Sequence, residues 1–197
     1  DIVSLAAALV VNIGTLDENR IASMVAAGKR ATELKLPIVL DPVGSGATAL
    51  RTDTAKKIID ETRLSVIKGN ASEILSLGIA GSKTKGVDSL HSVEDATSAA
   101  IDLAKELNTC LAITGPVDLI TDGSRVVRVT NGHRLMGRIT GCGCTASAII
   151  GAFLAVDKDP VCATATALAY FGLAGEVAGT KADAPGSFMI QLLDALY

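Results

Sequence analysis

The sequence contains no tryptophan, and aromatic residues make up only 3% of its 197 positions. Its high apolar content of 49% therefore comes mainly from Ala, Val, Ile and Leu. The mean hydropathy is +0.43, yet charged residues still make up 20% of the chain, which excludes a disordered composition. Such a composition is typical of an α/β protein whose buried strands are continuous aliphatic runs. At this length we expect one domain with a large core.

The chain also lacks a concentration of charge of one sign and an uncharged run that could span a bilayer. The net charge is −3 and Lys and Arg are dispersed, so we expect no nucleic-acid partner. The longest nearly uncharged runs, 141–156 and 161–175, fall short of the ~18–20 residues that cross a bilayer. No basic segment precedes an apolar core at the N-terminus, so we expect no signal peptide and a cytoplasmic location.

Several common site motifs are missing as well. Neither G-x-x-x-x-G-K-[ST] nor G-x-G-x-x-G occurs, which argues against a P-loop and a Rossmann dinucleotide site. The cysteines are irregularly spaced, which favours reduced thiols over a disulfide framework. They are Cys110, Cys142, Cys144 and Cys162. His91 and His133 are isolated, so no Cys/His cluster predicts a structural zinc site.

What is present is an alternation of strand-like and helix-like segments. Buried strands are predicted at 8–13, 37–41, 64–68 and 110–114. Helices are predicted at about 15–34, 55–62, 71–77, 94–107, 144–156, 160–179 and from about 187. Two further strands, 117–121 and 125–130, flank the tight-turn signal Asp122-Gly123, and residues 78–93 are predicted to form a surface connection. This order predicts an α/β layer sandwich with a mostly parallel sheet.

Polar side chains occur at the carboxyl ends of the predicted strands. These residues are Asp41, Lys68, Asn70 and Thr114. In open parallel sheets the ligand lies beyond this edge. The pattern therefore predicts a binding site there.

The run Gly141-Cys142-Gly143-Cys144 precedes a long apolar helix. Two glycines allow a tight turn and a close approach to an anion, and the helix start directs unpaired N–H groups at the same point. A phosphate-binding turn is one interpretation. A plain turn between a strand and a buried helix is the other, and the spacing alone does not decide between them.

The polar strand ends also allow two interpretations each. Asp41 can orient magnesium through water, or it can cap the turn begun by Pro42. Asn70 and Glu73 have the spacing of a capping box, while Lys68 and Glu73 can instead serve a nucleotide phosphate and magnesium. Thr114 can contact phosphate or mark an ordinary hairpin entry.

In combination and in order, these motifs resemble the hydroxyethylthiazole kinase family of thiamine salvage, within the ribokinase-like superfamily. The matching strings cover the whole chain: Asn12-Ile13-Gly14-Thr15-Leu16, Asp41-Pro42-Val43-Gly44, Gly69-Asn70-Ala71-x-Glu73-Ile74, Lys85-Gly86-Val87-Asp88, Ile113-Thr114-Gly115, Asn131-Gly132-His133, Thr140-Gly141-x-Gly143-Cys144 and Pro185-Gly186-Ser187-Phe188. Each string alone is weak, but the set is specific.

The resemblance implies a ribokinase-like three-layer α/β/α sandwich with a mostly parallel central sheet. It implies transfer of the ATP γ-phosphoryl group to the primary alcohol of 4-methyl-5-(2-hydroxyethyl)thiazole by a homotrimer. The roles carried over are ATP binding by Lys68, Thr114 and Asn70, magnesium binding by Asp41 and Glu73, substrate binding by Gly141 and Cys144, and catalysis by Cys144, Gly141 and Gly143. Cys144 stands where most ribokinase-like enzymes have a catalytic Asp.

Two departures from the family accompany this resemblance. Lys68 replaces the usual Arg, which keeps the charge but loses the two-pronged geometry. Residues 1–197 are expected to form a single kinase domain without about fifty further N-terminal residues that the family carries. Rival hypotheses are a hydroxymethylpyrimidine or pyridoxal kinase, an ADP/ATP-dependent NAD(P)H-hydrate dehydratase, and a non-catalytic binding protein. Cys144 counts against the other enzymes, which are expected to have an acidic residue there.

Overall fold

A computed structural model describes residues 2–78 and 93–197 of the chain. The strands are β1 (Leu9–Asn12), β2 (Ile38–Asp41), β3 (Val66–Asn70), β4 (Cys110–Thr114), β5 (Asp118–Thr121) and β6 (Val126–Val129). The helices are α1 (Glu18–Glu33), α2 (Ala49–Glu61), α3 (Ala71–Leu75), α4 (Val93–Leu107), α5 (Cys142–Val156), α6 (Pro160–Gly179) and α7 (Pro185–Ala195). Short 3-10 helices span Ile2–Leu5 and Arg134–Arg138. Most of the predicted surface connection and the Lys85–Asp88 string lie outside the described residues.

The strands form one sheet in sequence order, β1-β2-β3-β4-β5-β6. The first four strands are parallel, and β5 and β6 continue the sheet as antiparallel neighbours. The predicted hairpin at Asp122-Gly123 joins β5 to β6, and Gly123 has a positive φ of 86°. The sheet is therefore mostly parallel, as the sequence predicts.

Alternate residues of the strands enter two separate hydrophobic cores. On β2, Ile38 and Leu40 pack with α1, α2 and α4, whereas Val39 belongs to the core formed with α5, α6 and α7. All three of these β2 side chains are completely buried. Helices thus cover both faces of the sheet, which confirms the predicted three-layer α/β/α sandwich.

Helix α2 is the element whose start the sequence prediction missed by the most. It begins at Ala49 rather than near residue 55, because the Thr48 side chain accepts a hydrogen bond from the N–H of Arg51 and caps the helix. The first turns of α2 are polar and contribute little to the core. Hydrophobic spacing therefore did not reveal them.

Helix α6 is 20 residues long and is apolar enough, by length and composition, to cross a membrane. The prediction that no segment reaches this length is wrong for α6, because the helix continues through Glu176 to Gly179. More than half of its most apolar window is buried within the protein. It packs against α5, α7 and three strands, as expected of the core helix of a layered domain.

Shortening a fully buried side chain on α5 tests the packing of this layer. Ile150→Val is expected to lower the free energy of unfolding by about 1 kcal/mol, because it removes one methylene group and leaves a small void. Val156→Ala on the same helix is the control, since Val156 is 82% exposed and its truncation is expected to change stability by less than about 0.5 kcal/mol. Urea unfolding of both variants measures the difference. Equal effects would contradict the burial assigned to Ile150.

Candidate active site

The four parallel strands end in polar residues that meet at one edge of the sheet. Asn12, Asp41, Asn70 and Thr114 are the last residues of β1, β2, β3 and β4. Asn12 is the register partner of Asp41, and Asn70 is the register partner of Thr114. The predicted gathering of polar groups at the carboxyl ends is therefore present for Asp41, Asn70 and Thr114, and Asn12 is an addition to it. The prediction that Lys68 ends its strand is wrong, because β3 continues to Asn70.

The Gly141–Cys144 turn leads directly into α5, which begins at Cys142 rather than near Cys144. Gly141 is the N-cap residue with φ 87°, a left-handed conformation that favours glycine, and it offers no side-chain cap. The first N–H groups of α5 have no partner within the helix and point out of its positive end. This geometry suits an anion, as the phosphate-binding interpretation requires.

Asp41 and Lys68 form a buried ion pair below this turn. Their side chains are 2% and 4% exposed, and Lys68 Nζ lies 3.7 Å from Asp41 Oδ1. Lys68 Nζ also donates a hydrogen bond of 2.9 Å to the carbonyl oxygen of Gly143. A Cβ on Gly143 would lie 3.0 Å from this ammonium group, so the glycine allows the close approach. Lys68 thus connects β3 to the first turn of α5.

Hydrogen bonds hold the Asp41 carboxylate from two directions. Oδ2 accepts from Asn12 Nδ2 at 2.9 Å and from Ser147 Oγ at 2.7 Å. Burial raises the pKa of Asp41, while Lys68 and these hydrogen bonds oppose the shift. The side chain does not cap the turn at Pro42, so that interpretation is wrong.

Cys144 is exposed and lies on the Asn12 side of the turn. Asn12 Nδ2 donates to Cys144 Sγ at 3.3 Å. The neighbouring thiol of Cys142 is half-buried instead, and burial raises its pKa. Among the described residues no group of three or more His, Cys, Asp or Glu side chains is arranged to hold a metal ion.

Asn70 and Glu73 form the capping box at the start of α3. Asn70 Oδ1 accepts from the Glu73 N–H, and Glu73 Oε2 accepts from the Asn70 N–H, both at 2.9 Å. Glu73 Oε1 additionally accepts from the N–H of Gly44 at 2.8 Å. The capping interpretation is therefore confirmed. Each Glu73 oxygen keeps a further lone pair, so the cap leaves room for a second role.

A cavity of about 660 Å³ opens beside the turn. Its walls include the predicted residues Lys68, Thr114 and Gly143, together with Cys142 and Asp118. Within the described ranges, Asn70, Glu73 and Cys144 are not among its lining residues. The cavity has the size of a pocket for a small molecule such as a nucleotide. The turn thus has the cavity on one side and Cys144 on the other.

Three functional candidates were missed by reasoning from the sequence. Asn12 and Ser147 hold Asp41, and the Arg51 guanidinium binds the carbonyl oxygens of Ile13, Gly14 and Val43, which fixes two strand-end loops. Ser147 follows Cys144 by three residues in a mostly apolar helix, and a polar residue in that helix was the available signal. Asn12 ends an otherwise apolar strand, which was a comparable signal.

The carboxylates at the edge fit a magnesium ion that is held largely through water. Within the part of the chain that the structure describes, Asp41 Oδ1 has an ion-pair contact of 3.7 Å to Lys68 and no hydrogen bond, and each Glu73 oxygen keeps a lone pair. Magnesium commonly uses one or two carboxylates, substrate phosphates and several waters. The donor set is therefore adequate for magnesium and unsuited to a closed all-protein cage.

A three-layer α/β/α sandwich with a glycine-rich turn at a helix N-terminus and a cavity beside it has the ribokinase-like architecture. The chain matches the profile of the hydroxyethylthiazole kinase family over residues 1–197. It therefore belongs to the hydroxyethylthiazole kinase family. This confirms the resemblance and the prediction that the chain is a hydroxyethylthiazole kinase, a phosphotransferase.

Relatives of known name agree with this assignment. Hydroxyethylthiazole kinase of Desulfotalea psychrophila is 62% identical over 197 residues, covering 100% of this chain and 72% of the relative. The enzyme of the same name from Methanocella arvoryzae is 51% identical, covering 100% of this chain and 74% of the relative. The solved structure of the hydroxyethylthiazole kinase protein from Pyrococcus horikoshii OT3 has a TM-score of 0.89 at 45% identity, covering 100% of this chain and 73% of that one.

A more distant structure shares the fold alone. The ADP/ATP-dependent NAD(P)H-hydrate dehydratase from Bacillus subtilis, co-crystallized with ATP/Mg2+, has a TM-score of 0.68 at 17% identity, covering 96% of this chain and 63% of that one. The sandwich is therefore common to kinases and a dehydratase, and the residues of the site distinguish them.

Proposed function

We propose that the edge formed by the strand ends and the Gly141–Cys144 turn transfers the γ-phosphoryl group of ATP to the primary alcohol of 4-methyl-5-(2-hydroxyethyl)thiazole. The bond between the γ-phosphorus and the bridging oxygen breaks and ADP leaves with that oxygen, a bond forms between the γ-phosphorus and the alcohol oxygen, and the proton of the alcohol is released to solvent. The observation that carries this proposal is the position of the turn, with the cavity on one side and Cys144 on the other. Such a transfer depends mainly on positioning and charge stabilisation.

The cavity is the proposed ATP site. Lys68 and Thr114 line it, and the free N–H groups at the start of α5 face an incoming phosphate. The Gly141 and Gly143 backbone would then stabilise charge on the transferring group. Asn70 lies at the adjacent strand end, where its side chain caps α3. We therefore assign Asn70 a supporting part in ATP binding.

Asp41 and Glu73 are the proposed magnesium carboxylates. Bound magnesium would neutralise charge on the ATP phosphates. Asp41 is held by Asn12 and Ser147, and Glu73 by the N–H groups of Gly44 and Asn70, so both carboxylates are oriented in advance. Preorganised charge of this kind is what phosphoryl transfer requires.

Cys144 is the proposed neighbour of the acceptor alcohol, and we assign it chiefly a positioning role. Cys144→Ala is expected to lower kcat by about tenfold, the effect of losing one productive hydrogen bond. Cys144→Ser should retain more activity than Ala because its hydroxyl keeps a donor and acceptor, and Cys144→Asp reports whether a carboxylate can take the proton instead. Steady-state kcat values of the three variants are the measurement. An Ala variant equal to the parent would exclude a role for Cys144 in the reaction.

The proposed substrate is tested by a coupled assay of ADP release with magnesium and ATP. The thiazole alcohol, hydroxymethylpyrimidine and pyridoxal are compared as acceptors, and hydrated NADH tests the dehydratase alternative. We expect turnover that depends on the thiazole alcohol. ATP turnover with another acceptor would reassign the substrate, and binding without turnover would favour a non-catalytic protein.

The remaining proposals concern assembly and location. We propose a homotrimer with sites between subunits, supported by a row of exposed apolar side chains on α6 and α7 that includes Leu173, Ile190 and Leu193. Sedimentation measures this state. We further propose a cytoplasmic enzyme, consistent with its free cysteines. The assignment of residues 1–197 to one kinase domain stays a prediction.

A further inference from the structure

The amide of Asn12 has one possible orientation in this structure. Its Oδ1 accepts a hydrogen bond of 2.8 Å from the N–H of Gly14, so the oxygen faces the loop that follows β1. Its Nδ2 therefore faces the site, where it donates to Asp41 Oδ2 at 2.9 Å and to Cys144 Sγ at 3.3 Å. An amide nitrogen carries two protons and can make both bonds at once. Reversing the amide would set its oxygen against the Asp41 carboxylate.

We propose that Asn12 is a positioning residue that fixes the Cys144 sulfur beside the acceptor alcohol and couples it to Asp41. This inference rests on the proposed phosphoryl transfer, in which Cys144 adjoins the alcohol. In its proposed role, Asn12 contacts neither ATP nor the acceptor alcohol. It acts through the side chains that it holds.

The direction of the hydrogen bond determines what Cys144 can do. Because Asn12 donates, the sulfur accepts, and the thiol proton is left to point away from Asn12. Cys144 is exposed, so that proton can be directed at the oxygen of a bound alcohol. The same donated bond would stabilise the thiolate form of Cys144, which is the form that could accept the proton of the alcohol and become a neutral thiol.

Ser147 provides a natural contrast. It donates to the same Asp41 oxygen at 2.7 Å and lies on the same helix as Cys144. Its other polar contact is the carbonyl oxygen of Gly143, at 3.3 Å. Loss of Ser147 therefore disturbs Asp41 without removing the Asn12–Cys144 contact. Any effect that is specific to Cys144 should appear with Asn12 alone.

Asn12→Ser and Ser147→Ala form the matched pair of variants. A serine at residue 12 can still accept from the N–H two residues on, which preserves the loop, but it cannot reach Cys144. We expect Asn12→Ser to lower kcat for the thiazole alcohol by about tenfold with the KM for ATP within about twofold of the parent. In a Cys144→Ala background the same change should lower kcat only by a factor similar to that of Ser147→Ala, because both then report the loss of one hydrogen bond to Asp41, whereas Ser147→Ala should lower kcat by the same factor in both backgrounds. Equal factors for Asn12→Ser in both backgrounds would overturn the proposal.

Alkylation by iodoacetamide tests the contact without relying on activity. Peptide mapping follows Cys144 and, in the same molecule, exposed Cys162 and buried Cys110. We expect Asn12→Ser to slow labelling of Cys144 by about threefold or more, because the thiolate is the reacting form and loses its donated hydrogen bond. Ser147→Ala should leave that rate unchanged, Cys162 should react alike in all variants, and protected Cys110 shows that the fold is intact.

The labelling rate of Cys144 and the kinase assay distinguish failure of the positioning proposal from failure of the proposed reaction. An unchanged or faster rate at Cys144 in Asn12→Ser, with Cys110 still protected, would overturn the positioning role whatever the kinase assay shows. A parent enzyme that does not phosphorylate the thiazole alcohol, with slowed labelling in Asn12→Ser, would leave the contact in place and overturn the proposed reaction instead.

Discussion

Asp41→Asn is expected to lower kcat/KM for ATP roughly a thousandfold, the size of effect seen when a preorganised charge of the transition state is lost. The proposed magnesium site would lose its buried carboxylate. The substitution is nearly isosteric, so the hydrogen bonds from Asn12 and Ser147 can pass to the remaining carbonyl oxygen. The new amide N–H₂ would then face the ammonium of Lys68, which now lies 3.7 Å from Asp41 Oδ1. Lys68 would be left as a buried cation with the Gly143 carbonyl as its remaining hydrogen-bond acceptor.

A buried charge without its counter-ion also destabilises the fold, by about 3–5 kcal/mol. Urea unfolding should therefore show a loss of stability in parallel with the kinetic loss. Asp60→Asn, on the exposed face of α2, is the control and should change neither measurement. If Asp41→Asn kept parent activity and stability, both the ion pair and the magnesium assignment would be wrong.

The fold was predicted best where apolar residues dominate. The bounds of β4 and α6 agree with the sequence prediction, because a strand of Cys, Leu, Ala and Ile and a helix rich in Ala and Leu leave few alternatives. The start of α2 was predicted wrongly for the opposite reason. Its first turns contain Arg51, Thr52 and Asp53, whose helical state depends on the Thr48 cap and on the Arg51 contacts to distant loops.

The candidate site was likewise predicted only in part. That Asp41, Asn70 and Thr114 gather at the sheet edge followed from strand ends alone, since the last residues of parallel strands lie on one side, although Asn12 was missed. Which atoms bond there did not follow, because the partners are remote in sequence. Asn12 and Cys144 are separated by 132 positions, and Asp41 and Ser147 by 106. Such pairs depend on how α5 packs on the sheet, and the spacing of residues within a motif does not predict that packing.

Lys68 shows how the structure changes the meaning of a predicted residue. The sequence suggested a cation for a nucleotide phosphate, and Lys68 does line the cavity. Its ammonium is nevertheless bound to the Gly143 carbonyl and paired with Asp41. The charge therefore also holds the first turn of α5 in place. A single side chain supports both the phosphate turn and the proposed magnesium carboxylate.

Lys68→Met is accordingly expected to lower kcat/KM for ATP at least about a hundredfold, because it removes a buried charge from the proposed phosphate site and releases the Gly143 carbonyl. Asp41 would lose its counter-ion. Burial already raises the pKa of Asp41 and Lys68 opposes the shift, so the carboxyl would become still easier to protonate. Lys68→Arg keeps the charge, and it should stay within about tenfold of the parent.

The double variant Asp41→Asn/Lys68→Met decides whether the two residues act as a pair. Each single change leaves one buried group without its partner, whereas the double change removes both charges together. We therefore expect the loss of stability toward urea in the double variant to be smaller than the sum of the losses in the two single variants. Its activity should be no better than that of either single variant, because the reaction needs both charges. Strictly additive stability losses would show that Asp41 and Lys68 do not form the proposed pair.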